Sequence, residues 1–438
     1  MKLTRRTFLH TSLAASAAAV LLPHTAAANA GHTLLSAEGC GRATGYAEAN
    51  KIVTRDGKTH VAWLDSIDDG FRVRVRTLNR ATGTWSPAYT VGKAHDNHGG
   101  PALSMDAEGY LHICYYPHHH PMRYRRSRKP NDASAWTEAE EFGARTTYPT
   151  LVCGKDNTLY CTCRESGDGP WRSNLYTKKP GGTWQGPHTI MVSQHRGYSH
   201  FMDALAWGPD HETLHLSTRI YSDEPARGHT VGYMCSHDGG TSWENAQGET
   251  IALPATAETI DHVAHAPEGP GVGLRAGSVA ADRNGVPYVL YSDYDATPAE
   301  AFLAVPAAAG GWVKRRLRPA MPEALADYGL LTPGVVSIGK GGRIYLALTA
   351  AERREDATAS LWGKPAHKVV WMELEEFHGA VTARVVSDRD DTTPAWLPNL
   401  ERATGHNAVT RPGLIYTAGG PGEKNTDILS NDVYWVQP

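Results

Sequence analysis

The sequence predicts an all-β fold, a seven-bladed β-propeller with four antiparallel strands per blade. Three observations point to it. A turn followed by a short apolar strand recurs along the chain. A tryptophan follows six of these turns at a nearly fixed distance. The last repeat stops one strand short.

The turns fall at Gly57, Gly109, Asn157, Glu212, Gly285, Gly342 and Gly413. The strands that follow begin at Lys58, Tyr110, Thr158, Thr213, Val286, Arg343 and Leu414. Each is preceded by another short apolar segment, such as Lys51-Ile52-Val53 or Gly334 to Ile338, so each repeat opens with a hairpin. Pro287 cannot donate to a strand ladder and is expected to mark a bulge.

Trp136, Trp184 and Trp312 each lie 27 residues beyond their turns; Trp85 lies 28, Trp371 29 and Trp243 31 residues beyond. One copy is fuller: Ser236-His237-Asp238-Gly239-Gly240-Thr241-Ser242-Trp243 fits an Asp-box, a structural turn between the third and fourth strands of a blade. In the last repeat the chain ends after its third strand, Val433–Val436. Thr33–Ser36, near the start of the mature chain, is the segment available to supply the missing strand and close the ring.

Residues 1–30 read as an export signal rather than fold. Arg5-Arg6 opens a twin-arginine pattern, the apolar run to Leu22 is too short to span a bilayer, and Ala28-Asn29-Ala30 is a small-residue cleavage site. Residues 31–438 are then one exported domain, periplasmic or secreted, expected as a monomer. A net charge of −3 gives no basic face for nucleic acid, and no second apolar run suits a membrane. The six cysteines do not reveal a pairing; Cys161-x-Cys163 alternates as a strand does, and buried inert thiols are expected.

The candidate site follows from the hairpins. Asp96-Asn97-His98 and Pro117-His118-His119-His120 flank the turn at Asp106–Gly109, equally far from it on either side, so strand pairing brings His98 and His118 to one open end. By the same symmetry Tyr148 faces Arg164 in the next repeat. In the one after, Tyr198 faces Tyr221 and His200 faces Arg219. Arg275, Asp293, His262, Arg402, His406 and Asn407 could reach the same face and receive no role. The His118–His120 run leaves open a zinc site shared with His98 or His112, and a structural Zn or Ca ion is the only metal considered.

Arginine beside histidine and tyrosine, without an evident close carboxylate pair, suits an anionic sugar. A lyase acting on a uronic-acid polymer needs a cation to neutralise the C5 carboxylate, a base for the C5 proton and an acid for the departing O4. His, Tyr and Arg supply all three without a redox cofactor.

The stretches His95-Asp96-Asn97-His98-Gly99-Gly100-Pro101, Asp106-Ala107-Glu108-Gly109-Tyr110-Leu111-His112 and Tyr116-Pro117-His118, followed by Tyr148-Pro149, Leu159-Tyr160 and Arg164, resemble the BNR-type propellers that include ulvan lyases and related rhamnose–glucuronate lyases. The repeat pattern spans most of residues 44–420; the specific part is about 95–221. The resemblance implies His98, His118, Tyr198 or Tyr221, and Arg164 or Arg219 as site residues. The hairpin geometry, which brings His98 and His118 together with Tyr and Arg around the same mouth, puts His98 in proton transfer, with Tyr198 its favoured partner, Tyr221 also in the catalytic set, and His118 orienting or sharing the proton. Position at the open hairpin ends makes Arg164, Arg219, Tyr148, His200 and Asn97 the expected substrate-binding residues, and the resemblance implies an anionic, ulvan-like polysaccharide as substrate. Gly99-Gly100 departs from the bulkier polar residues expected there. Two rivals stand beside this reading. A sialidase-like glycoside hydrolase would need an arginine triad, and Arg42-Ala43-Thr44-Gly45-Tyr46 replaces the usual Arg-Ile-Pro. The other is a non-catalytic glycan-binding propeller.

Overall fold

Alternation of apolar and polar residues between tight turns leaves this chain little option but antiparallel sheet. The computed structural model describes residues 31–222, 227–266, 273–294, 296–352, 366–387 and 392–438. The proposed export signal, residues 1–30, lies outside them. Among the described residues the only helices are two single 3-10 turns, Arg318–Ala320 and Glu323–Leu325, and no helix is long and apolar enough to cross a membrane.

Each of the seven expected hairpins forms. Ile52–Arg55 pairs with Lys58–Ile67, Ala102–Met105 with Leu111–Tyr115, and Glu140–Cys153 with Leu159–Glu165. Ser199–Trp207 pairs with Leu214–Ser222, Leu274–Ala281 with Pro287–Asp293, Gly329–Ile338 with Ile344–Ala351, and Ala395–Leu400 with Leu414–Ala418. The N-terminal strand His32–Gly39 lies antiparallel to Asn431–Val436, with Thr33 opposite Trp435 and Ser36 opposite Val433. His32–Gly39 and Asn431–Val436 thus share one sheet, the pairing expected of Thr33–Ser36.

Apolar faces of neighbouring sheets pack on one another. Trp243 of the Asp-box is fully buried among Leu175, Trp207 and Leu216, and its indole donates to Gly240 O at 3.0 Å. Asp238 holds that turn closed by accepting from the Ser242 amide at 2.9 Å and its hydroxyl at 2.7 Å. All six cysteines are buried and free.

Three details differ from the sequence reading. Pro287 is the first residue of its strand, opposite Ala281, where a missing N–H costs nothing; the bulge of that hairpin lies between Ala276 and Val279. Trp371 sits within a third strand, opposite Ala347, not at the turn leading to a fourth, because its repeat carries a long segment after Ala351. The hairpin centred near Asp210 pairs His200 with Tyr221 and Met202 with Arg219, a register two residues from the expected one. A shift of two keeps every side chain on its own face, so Arg219 still reaches His200 diagonally.

Candidate active site

Residues in or just before all seven first strands meet at one cavity of about 210 Å3. Tyr46, just before Ile52–Arg55, lines it with His98, Tyr148, His200, Arg275, Leu331 and Leu397, one from each successive hairpin. Arg42, Tyr198, Arg219 and Tyr294 also border it. Three arginines therefore face this space, and no Asp or Glu is among the described residues that line it.

Local backbone explains how each group arrives. Gly99 and Gly100 let the chain before Ala102–Met105 run tight against its neighbours. A Cβ on Gly99 would lie 2.8 Å from Tyr116 O, and one on Gly100 2.8 Å from Gly45 O, so bulkier residues cannot stand there. Tyr148 has φ +59°, an uncommon left-handed conformation for tyrosine, and a register shift spans Thr147 to Thr150. The resulting kink aims the Tyr148 ring into the cavity. It meets Tyr46 edge-on at 4.8 Å and lies 6.0 Å from His98 and 5.4 Å from His200.

Arg164 forms the wall behind Tyr148. It is 1% exposed, and its guanidinium lies 4.5 Å from the Tyr148 ring centre, 4.8 Å from Trp171 and 5.3 Å from Tyr198. It also donates to the Tyr198 hydroxyl at 3.3 Å. Arg219 donates to His200 Nδ1 at 3.2 Å and stacks 4.9 Å from Tyr221. Arg42 donates to the Tyr46 hydroxyl and, at 2.6 Å, to His98 Nε2. Asp96 accepts from His118 Nδ1 at 2.5 Å and from the His98 backbone amide at 2.8 Å. The imidazoles of His98 and His118 stack at 3.9 Å with 19° between planes.

These surroundings set the charges. Burial, reinforced by the Arg42 charge and opposed by Asp96, brings His98 down to about 3, so its ring is neutral at ordinary pH. Burial and the adjacent Arg219 hold His200 well below the imidazole range. Burial raises both Tyr46 and Tyr148, keeping them as phenols. Burial and then Arg275 pull Arg219 below the usual guanidinium range.

Of the residues singled out from sequence, His98, Tyr148, Tyr198, His200 and Arg219 line the cavity. His118 stacks behind His98, Arg164 backs Tyr148, and Tyr221 lies beside Arg219, one layer away. Asn97 is buried, its backbone N–H donates to Asn425 O at 3.0 Å, and it is not among the residues lining the cavity. Arg275 does reach it. Arg402 is buried against Glu48 O instead, Asn407 donates to Arg402 O at 2.8 Å, His406 bonds Gly154 O at 3.0 Å, and His262 stacks on His265 at 4.6 Å; none of these borders the cavity. His112 is tied to Asp106 at 3.0 Å and to the Tyr124 hydroxyl at 2.8 Å, away from His118, so the arm of the zinc expectation that joined those two does not form, whereas His98 and His118 do come together beside Asp96. Sequence reasoning passed over Arg42, Tyr46 and Tyr294, and also Asp96. The signal for Asp96 was its place two residues before His98, where an Asx turn forms.

A model of the BNR repeat-containing family matches residues 55–320. An ulvan lyase from Alteromonas sp. (strain LOR) is 27% identical over 251 residues, 48% of this chain and 50% of its own length. An ulvan lyase of Pseudoalteromonas sp. (strain PLSV) is 24% identical over 279 residues, 54% of this chain and 56% of its own. The chain thus spans about half the length of the curated relatives it matches. Among solved structures, a PL25 ulvan lyase bound to -[GlcA(1-4)Rha3S]- superposes with TM-score 0.70 at 16% identity, covering 92% of this chain and 95% of that one. The polysaccharide lyase Uly1 gives TM-score 0.59 at 13% identity over 92% and 97%. At these identities the two structures speak for the fold, a BNR-type propeller resembling that of ulvan lyases.

Proposed function

The chain belongs to the BNR repeat-containing family, and we propose that it is a polysaccharide lyase that cleaves a uronic-acid polymer of the ulvan kind by β-elimination. The observation that carries this reading is the cavity wall, with Arg42, Arg219 and Arg275, four phenols and two neutral imidazoles, and no carboxylate among its described residues. Such a wall attracts a uronate and offers groups to move one proton each way.

In the proposed step an arginine neutralises the C5 carboxylate and acidifies the C5 proton. The base takes that proton, the electron pair forms the C4–C5 double bond, and the C4–O4 bond breaks as a phenol protonates O4. His98 Nε2 is the base of this reading, once the substrate carboxylate draws Arg42 from it. Tyr148, central in the cavity, is the favoured acid over the more exposed Tyr198. The reaction consumes no redox cofactor. The same proposal reads the seven hairpins as seven blades closed by His32–Gly39, and the chain as a monomer exported by the twin-arginine route.

Three arginines in one cavity also favour the sialidase-like alternative. That chemistry additionally needs a carboxylate beside a tyrosine nucleophile. One panel separates the readings: ulvan, glycosaminoglycans, pectins and a gellan-like polymer, followed by ultraviolet absorbance of the unsaturated uronide and by reducing-end release. Both signals together mean elimination. Reducing ends without absorbance mean hydrolysis and overturn the lyase reading, as does binding with neither signal.

A further inference from the structure

We propose that Asp96 is the positioning residue of this site, a single carboxylate that holds His98 and His118 in the same Nδ1–H tautomer so that each presents Nε2 outward. The kinetic part of the test rests on the lyase reading; the tautomer itself does not.

The argument begins at the other side of His98. A guanidinium has donors only, so the nitrogen 2.6 Å from Arg42, Nε2, offers its lone pair and the ring proton sits on Nδ1. Nδ1 lies 3.3 Å from Asp96 Oδ1, close enough to feel its charge but not aligned as a hydrogen bond. That oxygen already accepts the His98 backbone amide at 2.8 Å, closing the turn that aims the ring. The second oxygen, Oδ2, is 2.5 Å from His118 Nδ1. One carboxylate, 3% exposed, thus faces three N–H groups. Burial pushes its acidity the other way, but the hydrogen bonds from His118 and His98 prevail and hold it well below the usual carboxylate range. The parallel stack of the two rings at 3.9 Å fits this arrangement, with His118 bonded through its ring and His98 through its backbone amide to the same carboxylate.

Asp96, His98 and His118 also bring their ligand atoms within 4.8 Å of one another, close enough for a divalent cation. A cation there would take the lone pairs of both Nδ1 atoms and drive the ring protons to Nε2. In His98 that would set N–H against the N–H of Arg42, donor against donor. The hydrogen bond seen at Nε2 therefore favours the carboxylate-bridged pair over the metal.

The test uses the full chain with 15N-labelled histidine at about pH 8, above the ordinary imidazole range. Long-range 1H–15N spectra, assigned with His98→Gln and His118→Gln, are expected to show both rings as the neutral Nδ1–H tautomer in the wild type, and in Asp96→Asn a mixture of tautomers at His118, with His98 still held by Arg42. On a uronide substrate, Asp96→Asn should lower kcat on the order of 10²-fold or more while leaving KM close to wild type, as expected for a lost orienting group. A wild-type spectrum with a proton on Nε2 of either ring overturns the proposal. So does activity that is lost on chelation and restored by zinc. If no polymer is cleaved at all, the lyase reading fails and the wild-type spectrum alone still decides the role of Asp96. It also decides if Asp96→Asn does not fold.

Discussion

Arg42 donates to Nε2 of His98 across 2.6 Å and thereby covers the one lone pair of that imidazole that is turned away from Asp96. The two residues are 56 positions apart, on the approaches to two successive hairpins. In the free protein the cation and the base guard each other. A substrate carboxylate would separate them, giving Arg42 a partner and His98 an open nitrogen. Arg42→Ala should therefore reduce kcat/KM by about 2–4 kcal/mol in transition-state stabilisation. Steady-state kinetics on a uronide polymer check this; unchanged kcat/KM would remove Arg42 from the reaction.

His98→Ala is expected to lower kcat by about 10²–10⁴-fold, the usual range for an acid–base group, with little change in melting temperature. Near-normal turnover in a folded variant would take His98 out of the mechanism, and the main reason for a lyase reading with it.

The two phenols can be ranked. Tyr148→Phe and Tyr198→Phe each remove one oxygen. Tyr148 is wedged between Tyr46, His98 and His200, whereas Tyr198 is 38% exposed and bonded to Arg164. The larger loss of kcat is expected for Tyr148→Phe. A larger loss in Tyr198→Phe would restore Tyr198 as the proton donor.

Glu48 is buried beneath the cavity with neither carboxylate oxygen hydrogen-bonded, and burial raises it to about 8, opposed by Arg402 and Lys51. A carboxyl raised in the folded state contributes stability present below its unfolded value and lost as pH climbs through about 8. Glu48→Gln lacks that slope. Its melting temperature should gain on the wild type steadily between about pH 5 and 8. An equal difference at both pH values would show that Glu48 carries no buried proton.

Trp243→Ala should cost about 3–5 kcal/mol, since the indole is fully buried and its N–H would no longer satisfy Gly240 O. Chemical denaturation measures this. A cost under about 1 kcal/mol would mean the Asp-box turn does not anchor its sheet.

What the sequence determined by itself is local in origin. Alternating apolar residues and turn residues such as Gly57, Gly109 and Gly285 specify hairpins, because side-chain direction repeats every two residues and positive φ falls to glycine. The short apolar segment Thr33–Ser36 was legible as a strand, and it pairs with Val433–Val436. The symmetric placement of His98 and His118 about their turn sufficed to bring their rings together. Tertiary structure decided the rest. Arg42, Tyr46 and Arg275 meet His98 only because separate hairpins aim their first strands at one cavity, a convergence no spacing encodes. The two-residue register around Asp210 and the kink at Tyr148 depend on packing against neighbours, so neither could be counted from a turn. Asp96 stood in the sequence only as a neighbour of His98, and became the link between two imidazoles because the fold buries its carboxylate against His118 and the His98 backbone amide. Charge state follows the same division: residue type sets the ordinary range, and only the depth of His98 and Glu48 in the fold moves them out of it.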